Sequence, residues 1–359
     1  MRHNKLYSLV LVAMMAIAAV SCKKDDEDTT LPSLSGTYTF SVPTFVKPGA
    51  TITMTPRGLA HPEGKEIGYS WKVTPTMVKY DTTRFENGLD KAGLPSDGSF
   101  THTFSDTLKT YTVYTNAFAS GYASSSATKY STVVSGGVDE SITGLGITES
   151  TPSVTIDGKK YYYAAVGDTD WLKTNVADSR FGAPYVNCKA MDEVFGRYYT
   201  YEEAMKVCPQ GWSLPTEEDW LALAKAAGAS DETEIYSDIE GVAAALMANA
   251  SFNGERMWEY WPQVGDITDK CGVSIISAGY AMLGKKAENV KEDENIDYSY
   301  PQASFTGYQK YAAFWTADTV ADEEGMAYYR YIISDQPDLM IAKGDMNSFG
   351  ASVRCVRKK

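Results

Sequence analysis

Between residues 34 and 136 the chain never runs far before it reaches a turn. Stretches 36–45, 51–55, 68–73, 99–104, 111–117 and 129–134 are rich in Thr, Tyr, Val and Phe, the residues that fit a pleated, half-buried surface. Pro48-Gly49, Asn87-Gly88 and Asp97-Gly98 punctuate them as turns. About seven short strands in about 100 residues predict an all-β, Ig-like sandwich. A Gly-, Ser- and Thr-rich join at 137–152 follows, and the domain boundary is expected there.

Beyond the join the pattern changes. Strands are expected at 154–156 and 159–166. Thr200 with Glu203 forms a capping box for a helix over 201–207, and Thr216 with Asp219 forms another for 217–227, ended by Gly228. In the second helix Trp220, Leu223, Ala224 and Ala227 fall on one face at i, i+3, i+4 and i+7, which makes them core. Asp238 is expected to cap a third helix over 239–248. The rest reads as short strands and long loops, so residues 153–359 are expected to be α+β. The chain therefore divides into residues 1–21, 22–33, 34–136, 137–152 and 153–359.

The first of these segments reads as an address. Arg2 and Lys5 precede an almost unbroken apolar run from Leu6 to Val20. At about 15 residues the run is short of the roughly 20 needed to span a bilayer. It ends in Ala19-Val20-Ser21-Cys22, which resembles a bacterial lipobox, and the resemblance implies cleavage before Cys22 and lipidation of its sulfur. The charged block from Lys23 to Asp28 is a solvated tether. It also resembles the surface-export signal of Bacteroidetes lipoproteins, so the chain is expected on the outer membrane, lipid-anchored and facing outward. Removing residues 1–21 takes Arg2 and Lys5 and no acidic residue, so the net charge moves from −13 to −15. That balance disfavours nucleic acid as a partner, because phosphates must be neutralised by Lys and Arg.

Catalysis has little to stand on. The three histidines are His3, His61 and His102, so the second half has none. It carries no Gly-x-Ser-x-Gly elbow and no Gly-rich phosphate loop, and no spacing singles out a carboxylate pair. The chain is read as a non-enzyme without cofactor. Asp293, Glu294 and Asp297 offer hard oxygens, yet the EF-hand spacing is absent and no metal site is expected.

Two resemblances add to this. Pro48-Gly49, Tyr69-Ser70-Trp71, 100–104, and Tyr111-Thr112-Val113 with Asn116 look like the polycystic-kidney-disease type of Ig-like domain, although Trp71 lacks the Gly-Asp-Gly turn that follows it in that family. Trp71 is expected in the core, and His102 in a structural place. In the second half, Asp157-Gly158, Asp170-Trp171-Leu172-Lys173-Thr174-Asn175, Phe195-Gly196-Arg197-Tyr198-Tyr199-Thr200-Tyr201, Cys208-Pro209-Gln210-Gly211-Trp212-Ser213-Leu214-Pro215-Thr216, Ala278-Gly279-Tyr280, Phe314-Trp315-Thr316 and Ser352-Val353-Arg354-Cys355-Val356 occur in order. This set resembles the Fibrobacter succinogenes major paralogous domain over about 155–357. The resemblance implies a secreted or surface protein with a C-type-lectin-like frame, linked to adhesion and glycan handling, and supplies no site residues. Trp171, Trp212, Trp220 and Trp315 are read as core.

With Cys22 lipidated, Cys188, Cys208, Cys271 and Cys355 remain, enough for two disulfides with three possible connectivities. Cys208 and Cys355 belong to the two strongest motifs, so the expected pairs are Cys208–Cys355 and Cys188–Cys271. Zinc is disfavoured by the lack of CxxC spacing and histidine.

A glycan site needs aromatic faces and hydrogen-bonding side chains, and loops on a rigid frame are where to look. Two segments outside the motifs supply both. One is 253–263, with Trp258, Tyr260 and Trp261. The other is 295–302, with Asn295, Tyr298 and Tyr300, inside a long polar insertion between Gly284 and Phe314. The expected function is a surface lipoprotein that binds polysaccharide through these loops, with the Ig-like domain as spacer. The alternative is an adhesin or fimbria-associated subunit that binds protein partners.

Overall fold

The computed structural model describes residues 30–74, 97–106, 109–137, 140–156, 158–258 and 265–359. Residues 1–29, which hold the expected signal, Cys22 and the charged block, lie outside the described residues, as do the expected Asn87-Gly88 turn, Asp157, Tyr260 and Trp261. The fold is mostly β with few helices. Among the described residues no helix is long and apolar enough to cross a membrane.

The first half contributes β1 (Ser35–Thr39), β2 (Phe45–Val46), β3 (Ala50–Met54), β4 (Arg57–Ala60), β5 (Gly68–Thr74), β6 (Phe100–Phe104), β7 (Thr110–Phe118) and β8 (Ser125–Val133). They form a four-stranded sheet in the order β2-β8-β7-β5 and two pairs, β3-β6 and β1-β4. The expected strand at 36–45 is two strands, with Pro43 among the residues between them that donate no ladder bond. Trp71 anchors the core of this half. Its indole N–H donates to Gly98 O at 2.9 Å, and its ring meets Phe40 edge-on at 5.1 Å and stacks near Phe100 at 6.0 Å. Val46, Met54, Val73, Phe104 and Val113 close around it with no exposed surface. His102 faces Ile52 across the β3-β6 pair and touches Phe104 and Tyr111, a packing position.

The join is more ordered than its composition implies. Ile142, Leu145 and Ile147 are buried in the same cluster as Trp171 and Trp220. Its short strand β9 (Ile142–Thr143) pairs with β15 (Ser251–Phe252), which pairs in turn with β16 (Glu255–Arg256).

The second half is an array of small sheets. β10 (Ser153–Ile156), β11 (Lys159–Val166), β12 (Thr169–Leu172) and the C-terminal β23 (Val356–Lys358) make one antiparallel sheet, so the chain end returns to the start of this half. β13 (Ala183–Pro184) pairs with β14 (Arg197–Tyr198). β17 (Tyr280–Met282) lies between β18 (Ser304–Thr306) and β22 (Phe349–Gly350). β19 (Tyr311–Thr319), β20 (Met326–Ile333) and β21 (Met340–Asp345) form a meander. The helices are α1 (Tyr201–Ala204), α2 (Glu217–Ala227) and α3 (Ala243–Leu246).

Both capping boxes form, on Thr200 with Glu203 and on Thr216 with Asp219. α2 has the expected bounds and buries Trp220, Leu223, Ala224 and Ala227. α1 ends at Ala204, short of the expected 207, and the third helix is shorter than expected too. Asp238 accepts from the amide of Ile341 at 2.8 Å instead of capping, and Ile239 bridges to Leu339. Tertiary pairing with the β21 segment has taken the first turn of that helix.

The motifs build the frame. Trp171 meets Trp220 edge-on at 4.9 Å. The Trp315 indole donates to Tyr199 O at 2.7 Å. Arg354, 2% exposed, donates to Asn175 Oδ1 at 2.7 Å and to the carbonyls of Leu172, Val273 and Ser274. Asn175 in turn donates to Phe195 O at 2.8 Å. Three distant motifs thus meet around one guanidinium, the third through Asn175, and each of its three nitrogens donates to an oxygen. Gly196 has φ +74°, and a Cβ there would lie 2.6 Å from the Asn175 side chain and 2.8 Å from Val176 O, so only glycine passes.

Cys208 and Cys355 form a disulfide with Cα atoms 5.7 Å apart. Cys188 and Cys271 are free, against expectation. Cys188 is buried beside the Thr44 and Phe45 backbone and bridges to Ile296. Cys271 sits half-buried in a turn whose amide bonds Ala245 O. Their surroundings direct the two thiols to different neighbours.

Candidate functional site

The insertion after β17 is held to the frame along one side. The Lys189 ammonium donates to Asp293 O at 2.5 Å and the Lys189 amide to Asn295 O at 2.8 Å. The Asp297 amide donates to Asn187 O at 2.8 Å, and Asn187 Nδ2 to Tyr300 O at 3.1 Å. Buried Arg197 pairs with the Asp297 carboxylate and, at 3.2 Å, with Asp192. Carboxylates close the loop on itself as well. Asp293 Oδ1 accepts from the amides of Asn295 and Ile296, and Asp297 Oδ1 from that of Ser299. Asp293 Oδ1 and both Asp297 oxygens, three of the six read in the sequence as possible calcium ligands, are thus taken by N–H donors and Arg197. Among the described residues no group of three or more acidic, His or Cys side chains could hold a metal.

Charge at this anchor depends on pH. Burial pushes Asp192 up to about 6, with the help of nearby Asp297 and against the pull of Arg197, Lys159 and Lys47. Its unfolded value is about 4. A carboxyl raised on folding adds stability at acid pH and loses it as pH rises through the folded value. Asp192→Asn should therefore remove a fall in stability between about pH 4 and pH 6. Urea midpoints at pH 5 and pH 7.5 read this: the variant should gain on the wild type at the higher pH.

The insertion borders a groove of about 650 Å³. Asn295 and Tyr298 line it, with Lys291, Asp293 and Glu294 from the same loop. The opposite wall comes from the first half: Thr51 and Thr53 of β3, Arg57 of β4, and Ser41. Along β3 the side chains alternate, so Ile52 and Met54 enter the core while Thr51 and Thr53 point out. Their hydroxyls bond Thr103 and Thr101 across the β3-β6 pair at 2.9 and 2.8 Å. The Lys291 ammonium lies 5.2 Å from the Tyr298 ring centre, which fixes one face of that ring. The groove therefore presents one aromatic ring with one face held by Lys291, an amide, hydroxyls, one arginine and two carboxylates. Such a set suits a polar, hydroxyl-rich ligand with apolar ring faces.

The other expected site residues fall elsewhere. Trp258 is 1% exposed, and its indole N–H donates to Ile275 O at 3.0 Å. It is core, because the Phe195, Phe252 and Met257 cluster offers its ring a dry site. Tyr300 is 3% exposed and packs with Ala183, Tyr198, Ala281 and Leu283, so the frame covers its ring except where the Lys286 ammonium stands 5.7 Å from the ring centre. It reaches only the rim of a second groove, of about 580 Å³, shared with Phe181, Thr200, Glu203, Lys286 and Asn347. Thr51, Thr53 and Arg57 carried no motif. The one signal for them was the apolar alternation of the strand, which marks exposure but not what lies opposite.

What fold and groove define together is a mostly β, disulfide-stapled frame built from buried motifs, with a polar insertion displayed on it. The model of the Fibrobacter succinogenes major domain matches residues 164–357, more than half of the chain, and the chain belongs to that family. No curated protein matches the sequence.

Proposed function

We propose that this chain is a lipid-anchored surface protein that binds polysaccharide in the groove between the insertion and the first-half strands. The observation that carries the reading is the meeting of Asn295 and Tyr298 with Thr51, Thr53 and Arg57 in one open cleft. An aromatic face stacks on a sugar ring, and the amide, hydroxyls and guanidinium reach its hydroxyls. The lipobox ending in Cys22 supports the anchor. The strand content around Trp71 supports an Ig-like sandwich for 34–136, and the short strands, few helices and long loops of 153–359 support a C-type-lectin-like frame. In this reading the first half is a wall of the site as well as a spacer.

Affinity electrophoresis against a broad polysaccharide panel tests the proposal. Retardation by at least one polymer is expected. Tyr298→Ala should weaken it about 3- to 10-fold, the worth of one aromatic stacking contact at about 0.5–1.5 kcal/mol. Trp258→Phe, a core change, should leave affinity untouched while lowering stability. No retardation across the panel, with co-purification of a pilus-like polymer, would replace this reading with the adhesin alternative.

A further inference from the structure

The second groove holds an arrangement that the first does not use. Glu203, from the first turn of α1, is 7% exposed. Its Oε2 accepts from the amides of Gly182 and Thr200 at 3.1 and 3.3 Å, so the carboxylate is held by the frame whatever else is present. Its Oε1 receives the Lys286 ammonium at 2.7 Å. The same ammonium lies 5.8 Å from the Phe181 ring centre and 5.7 Å from that of Tyr300. A carboxylate with two aromatic rings is the chemistry that recognises an alkylammonium ion. The present occupant comes from the insertion, two residues past Gly284, and its side chain is 45% exposed. The remaining walls, with Thr200, Asn347 and Ser348, leave about 580 Å³ beside it, more than a lysine head fills.

We propose that this groove is a subsite for a sugar carrying a protonated primary amine, a glucosamine-type unit, which takes the place that Lys286 occupies. The proposal rests on the glycan-binding reading above and names a ligand class for a different groove. The Glu203 carboxylate and the Phe181 and Tyr300 rings take the ammonium. Asn347 and Ser348 take ring hydroxyls. Lys286 is a tethered competitor, and a short tether gives it an effective concentration of about millimolar or more. An N-acetylated sugar has no charge to offer the cage and is excluded. No covalent step is involved.

Calorimetry on the full chain tests this with a glucosamine tetramer and its fully N-acetylated counterpart, using wild type, Lys286→Met, and Lys286→Met with Phe181→Ala. Lys286→Met leaves the buried Glu203 carboxylate with the Gly182 and Thr200 amides, and a melting temperature close to that of wild type, measured first, shows that the variant is folded. Lys286→Met should bind the glucosamine tetramer at least about tenfold more tightly than wild type, with no gain for the N-acetylated form. Phe181→Ala should cancel the gain, and binding should fade as the pH passes the amine's own titration. If Lys286→Met gains nothing, or gains equally for both tetramers, the proposal is overturned. If that happens while a neutral polysaccharide is still retarded in a Tyr298-dependent way, only the amine subsite falls. If no polysaccharide is retarded either, both readings fall together.

Discussion

Arg330→Met is expected to destabilise the chain by about 3–5 kcal/mol, the cost of stranding a buried charge. Arg330 of β20 and Glu217, in the first turn of α2, have no exposed side-chain surface. The guanidinium Nε lies 3.2 and 3.0 Å from the two Glu217 oxygens, its NH2 is bonded to Oε2, and NH1 donates to Ser237 O at 2.7 Å. Burial already pushes Glu217 above the usual carboxylate range, and Arg330 is the counterweight. Without Arg330 the acid must take up a proton to fold. A carboxyl with a folded value above its unfolded one stabilises below the unfolded value and stops doing so as pH rises through the folded one. The deficit of Arg330→Met should therefore shrink toward pH 4 and be largest near neutrality. The double variant Glu217→Leu with Arg330→Met, which removes both charges, should recover most of the loss, since replacing a buried pair by apolar side chains is often neutral. Denaturant midpoints for the single and double variants at two pH values decide it. A double variant as unstable as the single one would mean that the helix start needs the pair for another reason.

The disulfide should matter as much. Cys208 and Cys355 stand 147 residues apart in sequence, so the bond constrains a long loop of the unfolded chain. Cross-links of that span are worth about 2–5 kcal/mol. Cys208→Ala with Cys355→Ala should lower the stability by that amount. Reduction of the wild type should reproduce the loss, and reductant should do nothing further to the variant. Alkylation in denaturant without reductant should label Cys188 and Cys271 and spare the bonded pair. Protection of all four would restore the second bond expected at first.

The cysteines show where a linear reading succeeds and fails. Cys208 and Cys355 sit in motifs whose neighbours, Trp212 and Arg354, are themselves buried by the frame, so motif strength pointed to their meeting. Cys188 and Cys271 were paired only by remainder. The same division runs through the aromatics. Trp220 was legible as core from helix periodicity, Trp212 from its flanking Gly and Leu-Pro, and Trp171 and Trp315 from the strand-like runs beside them. Trp258 was read as a ligand contact, because its segment joins aromatic rings to hydrogen-bonding side chains outside the frame motifs. Nothing in the sequence announced that Ile275 O would receive its indole N–H. Half of the candidate groove was legible, as Asn295 and Tyr298, and Trp261 and Tyr260 lie outside the described residues.

Local chemistry settled α2 and both capping boxes, the strand alternation of β3, and the glycine at 196. Each depends on interactions within a few residues, or on a backbone angle that one residue type tolerates. The order of the motifs also settled the family. What only the tertiary structure decided are contacts between segments far apart in sequence. Asp238 gave up its cap to serve Ile341, Arg354 gathered Leu172, Asn175, Val273 and Ser274, and strand β3 came to face the insertion. Buried polar groups must find partners wherever the chain brings them. A sequence lists the donors and acceptors, and the packed core determines which of them meet.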